Sequence, residues 1–489
     1  MKKILTPIAV VLALWATSTF IISNQTQAEF ENYINRSNKL YESNGLKLTL
    51  SDYQKSFLAS TATMEIDILN PEVAKKLKED YILPIKVQYD IEHGPLLFKN
   101  GFGLGLSKVH NELLVSSMLQ PKVKEKFLKL VKDDIKLNTN MIISFAKELQ
   151  YSIKSDAVQI NQDKKDFTMT PLTIEGTSNI QTLTGEGKLA ISTIELKEEN
   201  SSNGIHIDNF AMDIKIDEIA ENNIVFGDFI FSVANLLVTD DNNPAFQKVN
   251  IAINGLMKNK RVSETTMDST FQADIDLKDT KLPSEFKELQ NIQIAMDMKE
   301  LGIKGMSEFQ KVAQEAQQEQ TKLLTQLQSS KAEEMQPLFE ALTKIQENMV
   351  TKIIHSLNNL LIKDKTSIAY SVDIETKDKA STKALAEVGY TGDIEFKGTS
   401  EELVKKLQSQ ILSIIRLKVD IDLNKKHLKL LPVPMLNKQL QMGVAQGFIK
   451  ENNNSFSLNG YYKDKQLIVN DNNLTATVLP LLMMLTAQP

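Results

Sequence analysis

The sequence predicts an α+β protein, in which an N-terminal transmembrane helix precedes a large, mostly antiparallel β-sheet. Three features carry this prediction: an uncharged N-terminal stretch, long runs in which apolar and polar residues alternate, and one region rich in helix-forming residues. Hydrophobic residues make up 42% of the 489 residues, so the chain can bury a sizeable core. At about 150 residues per domain, this length predicts two to four domains or one large β-rich body.

The N-terminal stretch predicts how the chain meets the membrane. Residues 4–23 carry no charge, two lysines precede them and two glutamates follow. Twenty helical residues span roughly 30 Å, the thickness of the hydrocarbon layer. The flanking lysines favour a cytoplasmic N-terminus and an exported body. We therefore expect residues 1–28 to be a single-pass membrane anchor. The alternative is a signal peptide cut after Ala28, which leaves a soluble exported protein.

Alternation of apolar and polar residues dominates residues 29–306. A period of two places apolar side chains on one face of a strand, as in antiparallel sheets with one covered face. Clear examples are residues 64–68 (MEIDI) and residues 271–277 (FQADIDL). Tight turns are predicted at the Asn-Gly pairs Asn44-Gly45, Asn203-Gly204, Asn254-Gly255 and Asn459-Gly460. We expect a strand-rich meander over this region, interrupted by one helix that starts at Pro121.

Residues 307–362 have a different composition and predict a helical hairpin inserted in the sheet. A capping box at Ser307 and Gln310 marks the expected start, and Gln336-Pro337 marks the expected break between two helices. The second helix carries an apolar stripe at steps of three and four residues, which predicts a contact surface. This stripe consists of Leu338, Leu342, Ile345, Met349, Ile353, Leu357 and Leu361.

Residues 363–489 predict a C-terminal α+β region that completes the same body. Alternation returns at Ile368–Ile374 and again at Val388–Phe396. Thr399 and Glu402 form a capping box for a helix that reaches about residue 415. A hairpin is expected over residues 455–469. We expect the C-terminal helices to pack on the sheet.

Composition excludes several classes of function. The chain has no cysteine, which rules out disulfides and cysteine-ligated metals. Its net charge of −6 and its three arginines argue against a nucleic-acid partner. The five histidines show no metal-ligand spacing, and no nucleotide-binding or hydrolase motif is present. We therefore predict no cofactor, no metal and no catalytic residue.

One short stretch, residues 91–107 (IEHGPLLFKNGFGLGLS), combines a histidine, a Gly-Pro pair and several further glycines. His93 has no catalytic partner nearby in sequence, and the glycine spacing does not match a phosphate-binding loop. Pro95 follows His93 and Gly94 and would end a strand at a corner. The interpretation is architectural. Side chains of Phe102, Leu104 and Leu106 are expected to point toward the core or a ligand.

Three short segments carry a resemblance to a known family. They are residues 50–60 (LSDYQKSFLAS) with Tyr53 and Phe57, the triplet His93-Gly94-Pro95, and residues 455–474 (SFSLNGYYKDKQLIVNDNNL). Together with the N-terminal stretch, they resemble the YdgA-like family of bacterial envelope proteins. The resemblance covers nearly the whole chain. It implies an inner-membrane anchor with a periplasmic body, and it implies no known reaction.

The functional prediction is a non-enzymatic binding or scaffold role in the envelope. A long one-sided sheet at a membrane must cover its apolar face with its own helices, a partner or lipid. Lipid, another amphipathic ligand and an envelope protein are the expected partners. Two alternatives stay open: a periplasmic hydrolase that uses His93, and a structural protein that self-associates through its helices.

Overall fold

The structure is a computed structural model. It describes residues 2–42, 45–99, 101–131, 133–199, 201–220, 223–241, 247–282, 286–329, 332–430, 436–476 and 478. The chain divides into two compact units, Met1–Gly227 and Asp228–Pro489. Most strands pair with their antiparallel neighbours within a unit, which confirms the predicted α+β class with a mostly antiparallel sheet.

The first unit contains three α-helices, thirteen strands and a 3₁₀ helix at Val115–Met118 among the described residues. Its helices are α1 (Lys2–Tyr41), α2 (Pro71–Asp80) and α3 (Pro121–Leu130). Its strands are β1 (Leu46–Lys55), β2 (Ala59–Ile68), β3 (Ile85–His93), β4 (Leu96–Leu97), β5 (Gly103–Leu104), β6 (Ser107–Leu114), β7 (Lys136–Ile143), β8 (Glu148–Ser155), β9 (Val158–Gln162), β10 (Lys165–Met169), β11 (Thr173–Asn179), β12 (Gly185–Glu198) and β13 (Gly204–Ile219). Strand β14 (Val225–Thr239) contains the boundary between the units.

The second unit also combines antiparallel strands with α-helices. Its strands are β15 (Lys248–Arg261), β16 (Thr266–Asp276), β17 (Leu289–Gly302), β18 (Ser367–Thr376), β19 (Ser381–Tyr390), β20 (Ile415–Asn424), β21 (Lys450–Glu451), β22 (Ser455–Lys463), β23 (Gln466–Val469) and β24 (Asn472–Asn473). Its helices are α4 (Ile303–Ser329), α5 (Ala332–Leu360), α6 (Ser400–Ile414) and α7 (Leu436–Ala445), with a 3₁₀ helix at Lys425–Leu430.

The sheet of the first unit is an antiparallel meander. Its pairing order is β1-β2-β3-β6-β7-β8-β11-β12-β13. The first half of β12 pairs with β11 and its second half pairs with β10, which in turn pairs with β9. Alternating sequence thus becomes a sheet whose inner face holds a core of Ala62, Val87, Tyr89, Ile91 and Val109.

Helix α1 packs along this sheet well beyond the predicted segment of residues 1–28. The Asn38 side chain accepts from Leu48 N and donates to Leu48 O, both at 2.8 Å. Ser23 Oγ donates to Ser56 O at 3.2 Å, so the helix runs antiparallel to β1. Phe30 packs edge-on to Tyr89 with ring centroids 6.3 Å apart.

The predicted membrane span is not supported by this arrangement. In the part of the chain that the structure describes, no helix is long and apolar enough to cross a bilayer. Thr19, Ile22 and Ser23 belong to the predicted span, yet they are buried. Ser23 bonds to the β1–β2 turn, so this end of the stretch is packed within the first unit.

Helices α4 and α5 form the predicted hairpin, but its boundaries differ from the prediction. Helix α4 starts at Ile303, four residues before Ser307, and α5 starts at Ala332. Pro337 therefore lies inside α5 and does not separate the helices. A proline in the second turn removes one hydrogen bond to the carbonyl four residues earlier, which a helix anchored by later packing tolerates. The capping box of Thr399 and Glu402 is confirmed at the start of α6.

Two predicted turns are wrong. Asn254-Gly255 lies inside β15, and Asn459-Gly460 lies inside β22. The β22–β23 hairpin instead turns at Asp464-Lys465, where both residues have positive φ. Gly255 lets the Phe231 ring pack closely against the strand, because a Cβ at this position would overlap the ring. Glycine fits this position because the Phe231 ring packs against it. A local Asn-Gly pattern carries no information about such a distant contact.

Candidate functional site

The second unit presents one apolar sheet face. Side chains directly opposite each other in antiparallel strands point to the same side. The strand register aligns three apolar rows, which we call the apolar face. These rows are Met298–Ile368–Val388–Leu417, Met257–Phe271–Met296–Tyr370–Ala386–Val419 and Gly255–Ala273–Ile294–Val372–Ala384–Ile421. Its three rows contain no charged side chain, so a ligand there meets only apolar groups and the Tyr370 hydroxyl.

The opposite face of the same strands is polar. Asp274, Gln293 and Asp373 lie in one row of that face. Lys383 Nζ lies 3.1 Å from Asp373 Oδ2, and Thr270 Oγ1 donates to Asp297 Oδ1 at 2.8 Å. The acidic side chains therefore contribute to a partly exposed polar surface.

Packing covers the margins of the apolar face and leaves its middle open. At one margin, Ile354, Phe396 and Leu403 form a buried cluster with Ile414 at the end of α6. Another cluster joins α7 to β20 and β22. Between these clusters, large apolar side chains stay 37% to 48% exposed. They are Met257, Phe271, Ile368, Tyr370 and Val388.

The predicted apolar stripe on α5 faces other helices along part of its length. All seven stripe residues are half-buried. Leu357 and Leu361 pack on the cluster formed by Ile354, Phe396 and Leu403. Lys352 Nζ and Glu315 Oε2, 2.9 Å apart, join α5 to α4. The stripe thus contributes to packing of the hairpin base, and it leaves the middle of the apolar face uncovered.

The first unit holds a cleft of about 250 Å³ on its inner sheet face. Tyr151, Gly176, Gly187 and Ile214 form one row across β8, β11, β12 and β13. A Cβ added at Gly176 or Gly187 would lie 2.6 or 2.5 Å from Tyr151 Oη. The two glycines therefore create a depression that the tyrosine ring occupies. Burial raises the pKa of Tyr151, and Tyr41 at the end of α1 adds to this shift.

His93 lies in a buried polar cluster beside this sheet. Its Nε2 is 2.8 Å from Ser60 Oγ, and the two residues are 1% and 4% exposed. Within the described residues, His93 Nδ1 and the Oγ of the facing Ser107 have no hydrogen-bond partner. Burial, with a smaller effect of Lys55, lowers the pKa of His93 to about 4. The imidazole is therefore neutral at pH 7.

A serine hydrogen-bonded to a histidine is the geometry of an activated nucleophile. Here the remaining parts of such a site are missing from the described residues. No carboxylate orients Nδ1, and both partners are nearly inaccessible. A pKa of about 4 also makes the imidazole a weak base at neutral pH. The pair stabilises the junction of β2, β3 and β6. Sequence reasoning missed it because Ser60 and His93 are 33 residues apart.

The His93-Gly94-Pro95 triplet lies at the end of β3. A cis peptide joins Gly94 and Pro95. Beyond it, β4 and β5 form a small hairpin whose Leu97 is completely buried. Phe102 and Leu104 are exposed, so the expected core position is wrong for both, and a contact with a ligand stays a prediction.

No group of three metal-ligating side chains occurs among the residues the structure describes. The comparisons with known proteins add the family. The model for "Bacterial protein of unknown function (DUF945)" matches residues 1–476. The chain belongs to this family. Neither the curated proteins nor the solved structures contain a match to the chain. The DUF945 family assignment supplies no activity.

Proposed function

We propose that this DUF945 protein is a non-enzymatic binding protein of the bacterial cell envelope, and that it holds the acyl chains of a lipid against the apolar face. The supporting observation is the open middle of that face, where five large apolar side chains stay exposed between covered margins. Large exposed apolar surfaces on soluble domains mark binding sites.

The composition of the face favours an acyl chain over a protein partner. Strands lie about 4.8 Å apart, so the six strands β15 to β20 span roughly 24 Å between the outermost strand axes. The row that runs from Gly255 to Ile421 includes small side chains at Ala273 and Ala384, which lower the surface there, whereas the Phe231 ring covers Gly255. Protein interfaces instead combine aromatic anchors with arginine and paired polar groups. The apolar rows offer neither arginine nor ion pairs.

The experiment places a carboxylate on each face in turn. Phe271→Glu puts a charge on the apolar face, and Gln272→Glu puts the same charge on the opposite face of the same strand. The purified full chain and both variants are incubated with a phosphatidylcholine that carries a photoactivatable group in its acyl chain. We expect Phe271→Glu to lower crosslinking at least tenfold, because an unpaired carboxylate facing an acyl chain costs several kcal/mol. Gln272→Glu should label like the native chain.

Two further measurements complete the test. Organic extraction of the purified native chain should release lipid, with less lipid from Phe271→Glu. Circular dichroism confirms that both variants fold, which a half-exposed position permits. Equal labelling of the two variants together with a lipid-free extract would refute lipid binding. A molar mass that falls to the monomer value only in Phe271→Glu would identify a second copy as the occupant.

We also propose that the N-terminal segment stays part of the exported protein. Cleavage after Ala28 would remove Thr19, Ile22 and Ser23, which are buried. The intact mass of the protein isolated from cell envelopes tests this directly. A mass that lacks residues 1–28 would contradict it.

A further inference from the structure

The four most exposed large apolar side chains among the described residues lie at one end of the first unit. Their exposures are 71% for Phe102, 60% for Leu104, 59% for Phe98 and 55% for Phe145. Random surface exposure would scatter such residues over the molecule. Their concentration therefore needs a physical reason.

Strand register places these side chains together. Lys55 pairs with Ser60, His93 with Ser107, and Ser107 with Ile143. The β1–β2 turn, the hairpin of β4 and β5, and the β7–β8 turn consequently share one end of the sheet. We call this the aromatic end. Its apolar members are Phe57, Leu58, Phe98, Phe102, Leu104 and Phe145.

The hairpin is held in the form that exposes its aromatic rings. Glu92 accepts from the backbone N–H of Phe98 at 2.7 Å and of Lys99 at 3.0 Å. Leu97 anchors the hairpin in the core. Phe98 and Phe102 contact each other with ring centroids 5.9 Å apart. Exposure is thus built into the loop structure, since the backbone is fixed by a carboxylate and a buried leucine.

Helix α1 reaches the same end. Asn38 bonds to Leu48 in the middle of β1, and Ser23 bonds to Ser56 in the β1–β2 turn. From Ser23, the helix continues toward Lys2 through the uncharged stretch of residues 4–23. The most apolar segment of the chain and its most exposed aromatic side chains therefore meet at one end of one unit.

We propose that the aromatic end inserts its side chains into the surface of a lipid bilayer. Apolar side chains that project from separate turns at one level suit insertion into the headgroup–acyl boundary, about 5–10 Å deep. Two of the nearby lysines are paired with carboxylates, Lys99 with Asp90 at 2.9 Å and Lys147 with Glu29 at 3.0 Å. Apolar burial therefore drives this contact, with little dependence on salt.

Single-tryptophan variants test the insertion on the full chain. Trp15 is the only tryptophan, so Trp15→Phe provides a silent background. Into it we place Phe102→Trp or, as a matched control, Ile82→Trp. Ile82 is also exposed, but it precedes β3 at the other end of that strand. The protein is reconstituted with vesicles of three parts phosphatidylcholine to one part phosphatidylglycerol, with or without bromine on the phosphatidylcholine acyl chains.

The expected result is strong bromine quenching and a blue-shifted emission for Phe102→Trp, and neither for Ile82→Trp. In the native background, Phe98→Ser with Phe102→Ser should weaken vesicle binding about a hundredfold, because burying each phenyl ring contributes about a factor of ten. Equal quenching at both sites, or none at Phe102→Trp, would overturn the proposal. A blue shift that appears without lipid and grows with protein concentration would assign the aromatic end to a second copy.

The outcome is separable from that of the lipid-binding face. Phe271→Glu leaves the aromatic end intact, so when it is combined with Trp15→Phe and Phe102→Trp the quenching should be as strong as without it. The serine double variant leaves the apolar face of the second unit intact, so crosslinks that map to β15–β20 should be as frequent as in the native chain. Failure of either experiment therefore bears on one proposal only.

Discussion

Acidification should destabilise the first unit through His93. The side chain is 1% exposed and its pKa is lowered from 6.5 to about 4 by burial. An unfolded chain therefore takes up this proton at a higher pH than the folded chain does. The stability that the neutral imidazole contributes is complete above pH 6.5, and it is lost as the pH falls toward 4.

The size of the effect follows from the same values. A shift of about 2.5 pKa units corresponds to about 3 kcal/mol of unfolding free energy, at about 1.4 kcal/mol per unit. His93→Gln removes the titrating group. The variant should start less stable at pH 7, because the Ser60 hydrogen bond changes. Between pH 6.5 and 4 the native chain should lose about 3 kcal/mol that the variant does not lose.

Hydrogen exchange followed by mass spectrometry can measure this locally. Peptides that cover β2, β3 and β6 report the free energy of opening around His93 in the native chain, in His93→Gln and in His110→Gln. His110 lies on the neighbouring strand β6 and is partly exposed, so its substitution serves as the control. If the native chain and His93→Gln lose protection in parallel from pH 6.5 to 4, the assignment of acid sensitivity to His93 is wrong.

Two further predictions concern packing in the first unit. Gly176→Ala should lower the unfolding free energy by about 2 kcal/mol and Gly187→Ala by less than about 1 kcal/mol, measured by urea unfolding. The added methyl group at Gly176 meets backbone atoms, whereas at Gly187 it meets chiefly the mobile end of Tyr151. Asn38→Ala removes both hydrogen bonds to Leu48 and should cost about 2 kcal/mol. The loss should appear as faster proteolysis of α1. An unchanged cleavage rate would contradict the packing of α1 on the sheet.

Local patterns in the sequence were sufficient to predict whether most elements are helices or strands. Alternation at residues 271–277 predicted β16 with Phe271 and Asp274 on opposite faces, and the register agrees. The capping box at Thr399 predicted the start of α6 because cap and partner are three residues apart. Such signals are contained within one turn or one strand, where backbone hydrogen bonding and side-chain spacing act directly.

Predictions failed where a distant residue decided the outcome. Gly255 looked like a turn, but the Phe231 ring packs where its side chain would be. Phe102 was expected to face the core or a ligand, and its side chain is exposed, whereas Leu97 of the same hairpin is buried. The Ser60–His93 pair could not be predicted from the sequence, because two strands must pair before these side chains meet. None of these contacts has a signature at short sequence separation.

The sequence by itself determined which side of each strand is apolar, because side-chain direction alternates with the chain. It also determined the family and the uncharged N-terminal stretch. Only the tertiary structure decided which part of the apolar surface stays open. Burial depends on which elements pack together: α1 covers the strands that carry Tyr89, while the strands that carry Phe271 and Tyr370 stay partly exposed. Coverage is a property of the packed chain, and it separates a core from a binding surface.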